Sequence, residues 1–199
     1  MFALAPSFDM PAADPRTKLS DAALKLLGKT SWSALTLAEV ARTAKVPLSS
    51  LQTIAPDKGA LVRLILQRIG AETAKAYRPD RDSTDARDRV LDVTLTWFDV
   101  LQRRKPAVRS LHEGLRRDPS LLLAARDGVI ANASWLLTLA QADSGGPLAL
   151  RALVLAGILG RAIPIWLEDD GEMTATMARL DADLRRSRFL FDGSSARAP

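Results

Sequence analysis

Apolar residues along the chain recur at intervals of three and four, the spacing of one face of an α-helix. Over residues 16 to about 28 this face is Leu19, Ala22, Ala23, Leu26 and Leu27, and Gly28 ends the segment as a helix-terminating glycine. Thr36 then offers a capping hydroxyl, with Glu39 three residues on, to a short helix whose face is Leu37, Val40 and Ala41. That helix is expected to end near Lys45, because Pro47 disfavours the α conformation at Val46. Pro47 itself suits the first turn of a further short helix, running to about residue 54 and stopping before Pro56. Two short helices joined by a tight turn make a helix-turn-helix candidate. Asp57 caps a long helix to about residue 77, with Leu61, Leu64, Ile65 and Ile69 on one side.

The second half repeats the pattern. Val90, Val93, Leu95, Trp97, Phe98 and Leu101 pack a helix stopped near Pro106, and a shorter one follows over 107–116. Asp118-Pro119 opens another, through Leu121, Leu122, Ala125, Val129, Trp135 and Leu139. Ser144-Gly145-Gly146 is the clearest break. After it come an apolar run over 147–167, the turn Glu168-Asp169-Asp170-Gly171, and a last helix from 172 to about 189. No alternation of period two and no internal repeat appears. The predicted fold is all-α with about nine helices: a flexible arm over 1–15, a three-helix unit over 16–78, a larger body over 79–190 and a tail over 191–199.

Charge and composition narrow this further. The chain has 199 residues, 47% of them apolar, enough for a sizeable core. Without cysteine there is no disulfide framework or cysteine metal cluster, which fits a reducing cytoplasm. The net charge of +5 is unevenly placed: residues 1–78 carry 11 Lys/Arg against 6 Asp/Glu, and residues 79–199 carry 17 of each. The excess sits with the helix-turn-helix and points to an anionic partner there, or to a solvated basic face. The proline-broken N-terminus lacks the basic start of a signal peptide. The run over 147–167 is about long enough to span a bilayer, but Arg151 and Arg161 within it favour a buried helix.

Several residues invite chemical readings. His112-Glu113 begins like a zinc-protease motif, but Arg116 stands where the second ligand is needed, so a packed or solvated histidine is expected. The carboxylates over 168–172 lack the spacing of a calcium loop. No catalytic residue, metal or cofactor is expected, and the chain is not read as an enzyme. Ala152, Ala156, Gly157 and Gly160 permit close helix approach, and with Leu180 of the last helix they are assigned to a four-helix interface between two copies, with an intramolecular core as the alternative. Pro164 should kink that helix. Trp97, Phe98, Trp135 and Trp166 are either plain core or the lining of a pocket for an apolar or aromatic ligand.

The residues Asp21-Ala22-Ala23-Leu24, Trp32, Thr36, Val40-Ala41, Val46, Leu51, Pro56, Lys58 and Ala60-Leu61 resemble the N-terminal domain of the tetracycline-repressor (TetR) family. The resemblance covers about residues 16–70 without gaps. It implies a DNA-binding three-helix unit, a body that dimerises through its last two helices, and a ligand pocket inside that body. Implied partners are a palindromic double-stranded DNA operator, a small apolar or aromatic ligand and a second copy of the chain. By this resemblance Thr36 and Lys58 occupy phosphate-contact positions, Arg16, Lys18 and Lys45 supply further cations, and Ser49, Ser50, Gln52 and Thr53 face base edges. The chain departs from the family pattern at Leu48, Ser49 and Gln52-Thr53-Ile54-Ala55, where a lysine, a glycine and a tyrosine-led aromatic cluster are usual. A second, looser likeness runs from Ala152-Leu153 through Trp166 to Asp181. It is to the TetR-like lipid-binding proteins of ubiquinone biosynthesis, whose helix-turn-helix no longer reads DNA.

Overall fold

The computed structural model describes residues 14–79, 85–143 and 147–187. Among the described residues there are nine α-helices and no strand: α1 Pro15–Leu27, α2 Leu37–Ala44, α3 Leu48–Ile54, α4 Lys58–Ala76, α5 Ala86–Gln102, α6 Lys105–Arg117, α7 Pro119–Leu139, α8 Leu148–Glu168 and α9 Thr174–Arg186. The expected arm (as far as residue 13), the Ser144-Gly145-Gly146 break and the tail lie outside the described residues.

Helix starts follow from capping side chains. Backbone N–H groups donate to Asp14, Thr36, Asp57, Asp85 and Asp118, satisfying donors that the first turn leaves free. At α2 only half of the capping box forms. The Glu39 N–H donates to Thr36 Oγ1 at 3.2 Å, while the Glu39 carboxylate turns to Arg42. Pro106 begins a helix instead of stopping one: α5 already ends at Gln102, and Pro106 sits in the first turn of α6, where its fixed φ is tolerated. Helix α8 remains one helical segment through Pro164.

Helix α4 is the centre of the packing. It lies against α1 on one side and against α5 and α7 on others; α7 in turn packs on α8, and α8 on α9. A glycine or alanine stands at each close approach of α4 and α7. A Cβ added to Gly59 would fall 2.7 Å from Ala124 Cβ, and one added to Gly128 would fall 2.9 Å from Arg63 Cα. Further along, Gly70 meets Trp135, whose indole N–H donates to the Gly70 carbonyl at 3.1 Å. The pairs advance together along both helices, so α4 and α7 run side by side in the same direction. One continuous core, from Leu19 in α1 to Leu184 in α9, fills the space between the layers.

Candidate nucleic-acid interface

Helices α2 and α3 are joined by a tight turn made at Lys45, which adopts the left-handed conformation with φ 54°. Its N–H donates to the Arg42 carbonyl at 3.2 Å and the Val46 N–H donates to the Ala41 carbonyl at 3.0 Å, the pair of bonds that closes a helix C-terminus. Val46 is buried by this turn and Lys45 is exposed. Pro47 then sets the first residue before α3.

Leu51 and the following Ala55 bury the inner side of α3. Ser49, Gln52 and Thr53 are exposed, Ser50 is half-buried, and Leu48 is 58% exposed. The Thr53 hydroxyl donates to the Ser49 carbonyl at 3.3 Å. No charged side chain lies on α3. The cations are on the preceding helices: Arg16 on α1 and Arg42 on α2 are exposed, and Lys18 on α1 is half-buried. Lys58 folds inward, its ammonium donating to the Trp32 carbonyl at 3.2 Å and lying 5.5 Å from the Trp32 ring centroid.

This arrangement of α1 to α3, leaning on α4 and followed by α5 to α9, is found among solved structures. A TetR transcriptional regulator from Rhodococcus sp. RHA1 matches over 91% of this chain and 98% of its own, with TM-score 0.64 and 16% sequence identity. The TetR transcriptional regulator from Nitrosomonas europaea ATCC 19718 matches over 88% and 99%, with TM-score 0.63 and 20% identity. The chain has the TetR regulator fold. A TetR-family regulator from Streptomyces coelicolor shares it at TM-score 0.53 and 21% identity, over 91% of this chain and 82% of its own. No family model matches the sequence, and no curated protein matches it either. At these identities the likeness lies in the TetR fold, in which α2 and α3 are the helix-turn-helix.

The later helices hold the other expected residues. Trp97 and Phe98 meet edge to face at 5.0 Å between centroids, and Phe98 lies 5.6 Å from Trp166. The Lys105 ammonium sits 5.2 Å from the Trp166 ring. Both indole N–H groups of this cluster are buried without an acceptor among the described residues. Trp135 is not part of it: on α7, 42% exposed, it packs on α4. Ala152 and Leu180, assigned from sequence to a contact between copies, are fully buried inside the protomer, so neither offers surface to a second chain. Gly157 and Gly160 are exposed, as are Leu150, Leu153 and Met177. Among the described residues, no group of His, Asp or Glu could hold a metal. Helix α8 is long and apolar enough to cross a membrane, but Ala152, Leu155, Ile158, Ala162 and Trp166 bury one side of it in the core.

Sequence reasoning missed what ties the N-terminal helices to the rest. Arg68 on α4 pairs with Asp21 of α1 and with Glu72, each at 2.9 Å, and Glu72 also receives Arg104. The Ser110 hydroxyl on α6 donates to the Thr30 carbonyl at 2.9 Å. Trp32 is buried against Gly114 of α6. A glycine in mid-helix with no turn to explain it was the only sequence signal for that contact. Beside it a cleft of about 330 Å³ is lined by Ser31, Trp32, Lys58, Ser110 and Arg117. On α9, burial pushes the Asp183 carboxyl up, but bonds from Arg179 and Arg161 outweigh it and hold the group below the usual range.

Proposed function

We propose that the protein is a cytoplasmic, ligand-responsive transcriptional regulator, acting as a homodimeric repressor on a palindromic DNA operator, and not an enzyme. The observation that carries this reading is the exposed outer side of α3. Ser49, Gln52 and Thr53 stand on a helix-turn-helix whose inner residues are buried, and Lys45 and Arg42 before it and Arg16 and Lys18 on α1 supply exposed or half-buried cations. Such a helix suits the major groove, with cations on phosphates fixing its register. Residues 16–78 serve as the reading unit and 79–190 as the ligand and dimerisation unit. The exposed apolar and small residues Leu150, Leu153, Gly157 and Gly160 of α8, with Met177 of α9, support a contact with a second copy. The Trp97, Phe98 and Trp166 cluster, with two donors awaiting acceptors, supports binding of an apolar or aromatic ligand carrying an acceptor oxygen. Ligand favours one dimer geometry and so changes the spacing of the two reading helices.

In-vitro selection of the full-length protein on random duplexes tests this. The expected result is a palindromic site bound with steep salt dependence. Absence of any enriched sequence, with isoprenoid lipid co-purifying, would overturn it in favour of a lipid carrier of the same fold.

A further inference from the structure

The outer side of α3 says which bases it fits. We infer that α3 reads A·T pairs, with Leu48 and Thr53 packing on thymine methyl groups and Gln52 pairing with adenine. This rests on the regulator reading above and specifies its DNA.

In the major groove guanine is recognised chiefly by Arg or Lys reaching O6 and N7, and cytosine by a carboxylate accepting from N4. Helix α3 carries neither type of side chain. Its exposed residues are Leu48, Gln52, Ser49 and Thr53, which at 3.6 residues per turn span an arc of about 140° beside buried Leu51. The cations of the preceding turn and helix lie off α3: Lys45 is its preceding turn residue, and Arg42 on α2 pairs with Glu39 at 3.8 Å. Leu48 is an apolar side chain held 58% in solvent at the leading end of the helix. The thymine 5-methyl is the one apolar group on the floor of the major groove, and burying it against leucine removes apolar surface of both from water. Thr53 fits the same description, because its hydroxyl proton is already engaged on the Ser49 carbonyl and its methyl remains. Gln52, one turn on from Leu48, has the amide that matches adenine N6 and N7 in two-point fashion.

The test is selection of the full chain on random duplexes, followed by binding to the selected site with deoxyuridine replacing thymidine position by position. A·T pairs are expected at the centre of each half-site. Uracil should weaken binding about fourfold at the positions facing Leu48 and Thr53, the worth of one buried methyl. In Leu48→Ala, which keeps an exposed position and should retain wild-type helicity by circular dichroism, the uracil penalty at one of those positions should vanish. Invariant G·C pairs throughout the contacted bases, or uracil without effect at every thymine, would overturn this inference and leave the regulator reading standing. No selected sequence at all would overturn both.

Discussion

The indole of Trp32 lies directly on Gly114. A Cβ at that glycine would fall 2.5 Å from Trp32 Cγ and Cδ1. Trp32 sits between α1 and α2, its carbonyl receives the Lys58 ammonium from the start of α4, and Gly114 belongs to α6. One side chain thus fixes the N-terminal helices against α4 and α6 at once.

Gly114→Ala should therefore destabilise the protein, by about 1–3 kcal/mol, because the added methyl overlaps a ring held on both sides. Without that overlap, glycine to alanine inside a helix stabilises by up to about 1 kcal/mol, so the sign alone decides. Urea denaturation followed by circular dichroism reads it.

Lys45 separates folding from DNA binding. A non-glycine residue at φ 54° is strained by about 1 kcal/mol, so Lys45→Gly should raise stability or leave it unchanged. The same change removes an exposed cation beside α3. Binding to the selected operator should weaken, and the slope of log affinity against log salt should fall by about one per protomer. A variant that binds DNA as the wild type does would remove Lys45 from the phosphate contacts.

Asp183, its side chain only 4% exposed, receives Arg161, Arg179 and Arg186. Its folded carboxyl titrates below the ordinary value, so its contribution is present above about pH 4 and is lost as pH falls through the folded value. Asp183→Asn should cost roughly 1–3 kcal/mol at neutral pH, discounted because the three arginines remain partly solvated. Stability curves of variant and wild type should converge on acidification towards pH 2.

His112 is the only histidine, so its titration can be followed alone by proton NMR. Burial, then the charge of Arg116, lowers its pKa from 6.5, against an opposing pull from Glu113. The folded chain takes up this proton later than the unfolded chain does. Stability should therefore decline as pH falls below about 6.5, and His112→Gln should flatten that part of the profile.

Gly128→Ala tests the α4–α7 approach. The new methyl would meet the Arg63 main chain at 2.9 Å, and backbone yields less readily than a side chain. A loss of about 2 kcal/mol is expected, with hydrogen exchange accelerating first in α4 and α7.

Much of the fold was legible because caps and prolines are local. Thr36, Pro47, Asp57, Asp118 and the three-and-four spacing marked most helix ends to within a residue or two, but the stop expected near Pro106 lies at Gln102, and the last helix, expected over 172 to about 189, is Thr174–Arg186 among the described residues. What escaped was whatever depends on two distant segments meeting. Lys58 takes a phosphate-contact position by the family resemblance, and its ammonium here donates to the Trp32 carbonyl, a partner 26 residues away. Ala152 and Leu180 looked like interface residues because small and apolar residues serve an internal packing and an external one alike; only burial tells them apart. The outer side of α3 was readable as residues, since exposed positions on a short helix follow from its buried ones.

The side-by-side course of α4 and α7 bears on how far the reading unit is a module. Gly59 and Arg63 belong to one half of the chain, and Ala124 and Gly128, on which they seat, to the other. A fragment ending near residue 78 would leave that side of α4 facing water. Transplanting these N-terminal helices onto another regulator would need Ala124 and Gly128 carried with them: the boundary along which the chain can be exchanged lies on the surface of α7, not in the linker after α4.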